Sequence, residues 1–356
     1  MTDSPFLVMA RRGLRMPIGA DLVLRESRDP EACKQDGELL GAVVGSAARR
    51  YQTPFAFPLM DLTLEKLDLL QFLGVPDTQA GLFHFAEAPS LPVVSAVAAA
   101  SGRPFPPRVD AAHKAVQYIA ERTDLLPVGM LIGPFSLMTK LVADPIAPVA
   151  LSGNGVTAEE EPQVCLVERC LALAEATVQR SAAAQIASGA RAIIVCEPAA
   201  NTVYLSLRQL RAGSDILERF VLGPNRRLRD VFARHSVELI FHDCGPLTSD
   251  MLRQFAVELR PAVLSLGSSR KLWEDAAVVS KRVVLFGNLP TRTFYSDAAM
   301  PVEEVRRLTC ELIRRMATCG HPHILGSECD VLHVPEAAET IRRKVHAMLT
   351  CDAQTQ

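Results

Sequence analysis

His242 and Cys244 are the residues whose types and spacing point most directly to chemistry. They follow the apolar run at residues 237–241, and residues two apart at the end of a strand project their side chains in the same direction. A third soft ligand, Cys329, follows another short apolar run far downstream. Zinc binds imidazole and thiolate, and three protein ligands leave the fourth tetrahedral position open for a reactant. The pattern therefore predicts a catalytic zinc site.

Two other interpretations compete with a zinc site at His242, Cys244 and Cys329. A histidine and a cysteine that end a strand are, taken alone, more often packed residues than ligands. A denser group, Cys319, His321 and His323, precedes the last predicted strand, at the end of a barrel that is associated with stability. We therefore expect no metal there. The best case remains the His242, Cys244 and Cys329 set.

Short apolar runs alternate with longer helical segments along the chain. The predicted strands cover residues 55–60, 128–132, 192–196, 237–241, 262–266, 283–286 and 323–326, with residues 91–94 as a weaker eighth candidate. The clearest helices are predicted at residues 162–189, 215–234, 249–259 and 302–319. Such alternation indicates parallel strands joined by crossover helices, and seven or eight units favour a closed (β/α)8 TIM barrel. No glycine-rich phosphate loop follows any strand, which weakens the Rossmann alternative.

The first 50 residues lack a clear strand pattern and are helical in character around residues 33–50. We therefore predict an N-terminal helical extension over residues 1–50, packed on a single barrel domain at residues 51–351.

Polar residues follow several predicted strands at the end of a barrel where active sites lie. We expect Asp61 to act in catalysis, by orienting the substrate or holding a metal ligand, and Glu197 and Asn288 to bind the polar end of the substrate. The alternatives are that Asp61 caps the next helix and that Glu197 and Asn288 satisfy loop amides.

Composition and charge exclude several classes of protein. The 356 residues are 49% hydrophobic and 22% charged, which is typical of a globular enzyme. With 38 basic and 40 acidic residues and no basic block, a nucleic-acid partner is not expected. There is no signal peptide or apolar stretch of membrane-spanning length, so we expect a cytoplasmic protein with no membrane partner. Its nine cysteines are then expected to be thiols or metal ligands instead of disulfides.

Two segments resemble the uroporphyrinogen decarboxylase superfamily. Residues 131–139, Leu-Ile-Gly-Pro-Phe-Ser-Leu-Met-Thr, resemble its glycine-proline segment, and residues 58–63, Pro-Leu-Met-Asp-Leu-Thr, its aspartate-bearing first strand. The order of the later landmarks resembles the corrinoid-dependent methyltransferase branch: Glu197-Pro198, His242-Asp243-Cys244-Gly245, Gly287-Asn288-Leu289 and Cys329-Asp330. The resemblance covers residues 50 to 350.

The resemblance implies a methylcobamide:thiol methyltransferase. In that branch His242, Cys244 and Cys329 would hold zinc, a small-molecule thiol would accept a methyl group, and a methyl-corrinoid (cobalamin) on a partner corrinoid protein would donate it. The identity of the thiol and the primary methyl source stay open. The oligomeric state stays open too, and a homo-oligomer is one of the alternatives.

Two other functions stay open at this point. A decarboxylase-like carboxy-lyase would line its pocket with Arg11, Arg12 and Arg15, although this stretch does not match the arginine-rich motif of the decarboxylases. A zinc enzyme that joins thiols to other alkyl electrophiles would need no corrinoid.

Overall fold

The computed structural model describes residues 4–100 and 102–351, and its centre is one sheet of eight parallel strands. Along the sheet the order is β1-β8-β7-β6-β5-β4-β3-β2. The strands are β1 Arg15–Ile18, β2 Phe55–Ala56, β3 Leu126–Ile132, β4 Ala192–Cys196, β5 Glu238–Asp243, β6 Val263–Leu266, β7 Val284–Leu289 and β8 His323–Asp330. The seven main strand predictions are confirmed, although β2 is shorter than predicted.

The sheet curls so that strands far apart in its order meet across its interior. Phe57, just after β2, stacks on Phe286 of β7 with ring centroids 5.9 Å apart. No hydrogen-bonded ladder joins β1 to β2 within the described residues, because β2 has only two residues with which to pair. The predicted closed barrel is therefore corrected to a barrel-like sheet with one open seam.

The first strand lies inside the segment predicted to be a helical extension. β1 pairs in parallel with β8, and Met16 and Ile18 are buried in the interior of the curled sheet. Four residues that include Pro17 give no alternating pattern, so the sequence offered no strand signal there. The weaker candidate at residues 91–94 is wrong, because this segment forms a helix with a proline in its first turn. The division into an extension and a barrel domain stays a prediction.

Helices pack on the outer face of the sheet, except α1, whose Phe6 packs edge-to-face on Phe55 with ring centroids 5.4 Å apart. Their bounds are α1 Pro5–Arg11, α2 Ala20–Leu24, α3 Pro30–Cys33, α4 Gly37–Arg50, α5 Leu64–Phe72, α6 Leu91–Ala98, α7 Pro107–Arg122, α8 Pro134–Leu141, α9 Ile146–Gly153, α10 Pro162–Ala187, α11 Leu207–Arg211, α12 Gly223–Arg234, α13 Ser249–Gln254, α14 Leu272–Asp275, α15 Val302–Cys319 and α16 Ala338–Thr350. The predicted helices at residues 162–189 and 302–319 are confirmed as α10 and α15. Gly320 ends α15 with a φ of 60°, a conformation that favours glycine.

Strand residues alternate between an inner core and the layer under the helices. In β5, Ile240 belongs to the inner core and Phe241 to the outer one. The same alternation directs His242 into the barrel and Asp243 away from it. The period-two pattern of a buried strand therefore decides which residue of the His-Asp-Cys sequence faces the interior.

Cysteine pairing differs from the expectation for this sequence. Cys310 of α15 and Cys351, just after α16, form a disulfide, whereas Cys244 and Cys329 are free. The expectation that all nine cysteines are thiols or metal ligands is therefore wrong for Cys310 and Cys351. Among the described residues, no helix is both long and apolar enough to cross a membrane.

Candidate metal centre

The three predicted ligands meet at the C-terminal edge of the sheet. His242 is the second-last residue of β5, Cys244 follows that strand, and Cys329 lies near the end of β8. Parallel strands bring these ends to one edge, and the imidazole nitrogen and two sulfur atoms all lie within 4.8 Å of one another. Within residues 4–100 and 102–351, no other group of three or more such side chains could hold a metal ion.

The imidazole of His242 is held by its neighbour on β6. Nδ1 of His242 lies 2.8 Å from Ser265 Oγ, and both residues are buried. Nε2 is buried too, and it has no hydrogen-bond partner in the described part of the chain. Leaving a buried ring nitrogen unpaired costs its desolvation free energy, whereas a metal ion would use its lone pair. The residues present therefore fit a metal bound at Nε2.

Cys244 and Cys329 influence each other's ionisation. The pKa of the Cys329 thiol is lowered, first by its interaction with Cys244 and then by the neighbouring His242 and Arg292. The pKa of Cys244 is raised, because it interacts with Cys329 and is largely desolvated. A thiolate in this position is the form of cysteine that binds metals. Both sulfur-bearing residues are partly exposed, so the cluster is open to ligands from outside.

Arg292 is a residue of the site that sequence reasoning missed. It lies in a 3₁₀ turn, Thr291–Thr293, just beyond β7, and its Nη2 is 3.2 Å from Cys244 Sγ. Its pKa is raised, chiefly by interaction with Cys329. A basic residue in the loop after a predicted strand could have indicated it. The residue predicted for the site after β7 was Asn288, four positions before Arg292.

Asp61 lies at the same edge, after β2, but outside the ligand cluster. Its Oδ1 accepts hydrogen bonds from the Thr63 amide at 3.1 Å and the Thr63 hydroxyl at 2.5 Å, just before α5. Its Oδ2 pairs with Arg108 Nη2 of α7 at 2.6 Å. Neither contact caps α5, because the N-cap residue of that helix is Thr63 and no side chain makes a cap hydrogen bond there. A catalytic role for Asp61 stays a prediction. The preceding residue, Met60, touches the cluster, with its Sδ 3.7 Å from Cys329 Sγ.

Glu197 is fully buried beneath the start of α8. Its carboxylate accepts hydrogen bonds from the amides of Phe135 (3.2 Å) and Ser136 (2.8 Å) and from Asn225 Nδ2 (2.8 Å). Burial raises the pKa of this carboxyl group. Such contacts stabilise a helix N-terminus and agree with the amide-satisfying alternative.

Asn288, at the end of β7, contacts loop carbonyls instead of loop amides. It donates hydrogen bonds of 2.8 Å to the carbonyls of Gly267 and Arg270, which hold the loop after β6. Substrate binding by Glu197 and Asn288 stays a prediction.

The rival cluster before β8 does not assemble. His321 Nε2 lies 2.9 Å from the Val283 carbonyl, and His323 Nε2 lies 2.9 Å from the Gly287 carbonyl. Cys319 contacts the Met316 carbonyl through its sulfur. Within the described residues these three side chains do not form a group that could hold a metal ion.

A family model described as uroporphyrinogen decarboxylase (URO-D) matches residues 25–348. The chain belongs to the URO-D family. Among solved structures, it is similar to a methyltransferase from Methanosarcina mazei, with a TM-score of 0.65 and 16% identity, over 96% of this chain and 97% of that one. It also matches 3-keto-D-glucoside 4-epimerase, YcjR, from E. coli, with a TM-score of 0.38 and 15% identity, over 68% of this chain and 86% of that one, too weakly to carry an argument. No curated protein matches the chain.

The match to the M. mazei protein establishes the fold of this URO-D family member over nearly its whole length. The family resemblance predicted from the sequence is thereby confirmed. The chemistry has to be argued from the site.

Proposed function

We propose that this protein is a zinc-dependent methyltransferase in which a small-molecule thiol accepts a methyl group from a methyl-corrinoid. The observation that carries the proposal is Nε2 of His242, which is buried beside Cys244 and Cys329 and has no hydrogen-bond partner among residues 4–100 and 102–351. One imidazole and two thiolates form a three-ligand set that suits zinc and leaves a position for a reactant. A methyltransferase with the same fold, from M. mazei, supports the reaction class.

The residues around the cluster have separate tasks in this proposal. His242, Cys244 and Cys329 would hold the metal, and Ser265 orients His242 through its Nδ1. When bound, zinc would supply the positive charge that keeps a substrate thiol deprotonated at neutral pH. Arg292 places a further positive charge beside Cys244. A corrinoid protein, as the source of the methyl group, would approach the rim where both cysteines are partly exposed.

The carboxy-lyase alternative gains no support from the arginines near the N-terminus. Arg15 begins β1 and pairs in register with Leu325, four residues before Cys329 on β8. Four residues of strand separate the two positions by about 13 Å. The Arg15 guanidinium donates hydrogen bonds to carbonyls at the end of α16, among them that of Leu349 at 3.2 Å. Arg15 thus lies at the other end of the barrel from the candidate centre.

Metal analysis tests the site itself. Wild type and Cys329→Ala are purified identically, and we expect close to one zinc per chain in wild type and loss of it in the variant. Cys165→Ala is the matched control, because Cys165 is a free cysteine on α10 outside the cluster. Equal, negligible zinc in wild type and Cys329→Ala would remove the basis of the proposal.

A second assay separates the methyl donors. The zinc-loaded protein is mixed with methylcobalamin and a series of thiols, and demethylation is followed by the visible spectrum of the corrinoid. We expect a thiol-dependent spectral change that Cys329→Ala does not produce. A zinc-loaded protein that is inert with every thiol would favour the alternative in which another alkyl electrophile replaces the corrinoid.

A further inference from the structure

Cys244 and Cys329 are placed as partners for each other as well as for a metal. Their sulfur atoms lie within 4.8 Å of one another, and both residues are free cysteines that are partly exposed. A disulfide needs a sulfur–sulfur distance of about 2.0 Å, so the two sulfurs have to approach each other by up to about 3 Å. The backbone at each cysteine decides whether they can meet.

The backbone at Cys244 lies just outside the sheet ladder. β5 ends at Asp243, whose pair with Leu266 is the last one between β5 and β6. Cys244 is the next residue along the chain. Its side chain can therefore turn without the loss of a strand hydrogen bond.

The backbone at Cys329 lies in an irregular part of β8. β7 pairs with β8 only as far as Ser327. On the other side, two successive pairs with β1 fall at Gly326 and Asp330 of β8, although their β1 partners are only two residues apart. Such irregularities bend a strand and redirect its side chains. Both sulfur ligands thus stand where the ladder is interrupted.

The residues next to the two cysteines are held more firmly. His242 lies within the ladder, between Cys196 of β4 and Ser265 of β6. Cys196 is fully buried in the inner core and is outside the group of ligand atoms that lie within 4.8 Å of one another. A dissolved oxidant therefore reaches Cys244 and Cys329 but not Cys196.

We propose that Cys244 and Cys329 form a reversible disulfide when the centre holds no metal, and that this bond prevents metal binding. The inference rests on the proposed function and adds a form of regulation to its metal centre. With the two sulfurs bonded to each other, only His242 of the three ligands can still bind a metal.

Hydrogen peroxide is an oxidant that balances the reaction. One thiol sulfur attacks a peroxide oxygen, and the oxygen–oxygen bond breaks to give a sulfenic acid and water. The second thiol sulfur then attacks the sulfenic sulfur, and the hydroxide that leaves takes up the remaining thiol proton as water. Two electrons pass from the thiols to the peroxide, which ends as two water molecules. A dithiol reductant reverses the bond by thiol–disulfide exchange.

Peptide mapping without reduction tests for the bond. The full chain is treated with a chelator and then with hydrogen peroxide, its free thiols are alkylated, and its proteolytic peptides are identified by mass. We expect a joined pair of peptides that carry Cys244 and Cys329 in wild type, and none in Cys244→Ala or Cys329→Ala. Cys165 is the internal reference, because it is another partly exposed free cysteine, on α10 outside the cluster, and should stay unpaired. If one alanine variant does not fold, the other decides the question alone.

Zinc affinity tests the consequence of the bond. Peroxide-treated wild type should bind zinc at least roughly tenfold more weakly in competition with a chromogenic chelator, and dithiothreitol should restore the affinity, because metal binding needs free thiolates. Zinc added before the peroxide should slow the appearance of the joined peptides by roughly tenfold or more, since both sulfurs are then occupied. Cys196→Ala should behave like wild type in both measurements.

The two readouts separate this inference from the proposed function. A protein that forms the Cys244–Cys329 disulfide but takes up no zinc would contradict the proposed function and still support the disulfide. A protein that binds zinc but yields no joined peptides, or that pairs Cys329 with Cys196, would overturn the inference.

Discussion

Nδ1 of His242 lies 2.8 Å from Ser265 Oγ, whereas Nε2 of the same ring is buried without a partner in the described part of the chain. The two residues face each other in register on β5 and β6. When Nε2 offers its lone pair, Nδ1 carries the proton and donates it to Ser265. Ser265 therefore holds the ring orientation, and its hydroxyl can accept the Nδ1 proton of the tautomer that a metal ligand needs.

Ser265→Ala should weaken zinc binding by about 10- to 100-fold, the effect typical of losing an outer partner of a histidine ligand. Competition with a chromogenic chelator measures the zinc affinity. Ser280→Ala, at an exposed serine before β7, should keep the wild-type value. Equal affinities in the two variants would show that Ser265 does not orient the ligand.

Zinc should stabilise the folded chain, because the ligand cluster is assembled only in the folded state. At free zinc about 1,000 times the dissociation constant, the gain in unfolding free energy is about 4 kcal/mol. Thermal unfolding of wild type with and without chelator measures this gain as a shift in Tm. The same comparison in Cys244→Ala should show little shift; an equal shift in the variant would place the metal elsewhere.

The clustering of His242, Cys244 and Cys329 was predictable because all three follow apolar runs, and parallel strands bring their C-terminal ends to one edge. Ser265 was not predictable, because serine inside a strand is ordinary and its position opposite His242 follows only from the pairing of β5 with β6. Arg292 was missed for a similar reason, since its contact with Cys244 joins the loops after β7 and β5.

The strands that were predicted best are long apolar runs in the middle of the sheet. β3 to β8 have neighbours on both sides and read as nearly continuous hydrophobic segments. β1 and β2 are the two ends of the ladder and hold four and two residues. Their short length explains why the sequence failed to show β1 and why barrel closure was overpredicted.

Glu65 should make the protein less stable as the pH rises. This carboxyl group of α5 is buried, with Ser181 Oγ 3.0 Å from its Oε1, and burial raises its pKa to about 7. The unfolded chain loses this proton near pH 4.5, so between pH 4.5 and 7 the folded state binds more protons and the unfolding free energy falls with pH. Above pH 7 the loss is constant at about 3 kcal/mol.

Glu65→Gln isolates this contribution, because its amide cannot ionise. Urea unfolding should find the variant close to wild type at pH 5 and more stable at pH 8, by up to about 3 kcal/mol. His113, whose pKa burial lowers to about 4, is common to both proteins and cancels in the difference. Glu303→Gln, at an exposed site on α15, serves as the control. A difference that does not grow with pH would contradict the assignment.

The Cys310–Cys351 disulfide should stabilise the chain by cross-linking residues 41 apart. Chain-entropy arguments give about 4 kcal/mol for a loop of this length. Unfolding in urea with and without a reductant should therefore show a lower midpoint in the reduced wild type. Cys351→Ser, which retains Cys310, should have the lower midpoint in both conditions. A midpoint in wild type that does not respond to complete reduction would contradict this contribution.

Asp243, between the two ligands of β5, is expected to position Cys244 through the backbone. Its Oδ1 accepts a hydrogen bond from the Gly245 amide at 2.8 Å, and the residue is fully buried and outside the ligand cluster.

Asp243→Asn keeps an oxygen for that amide, so its zinc content should stay near that of wild type. Asp243→Leu removes the acceptor, and we expect the turn that carries Cys244 to loosen and zinc affinity to fall by roughly tenfold or more, as for other residues that orient metal ligands. Metal analysis and chelator competition on both variants, with circular dichroism to verify folding, separate these outcomes. Equal losses in Asp243→Asn and Asp243→Leu would show that the carboxylate acts through something other than the Gly245 hydrogen bond.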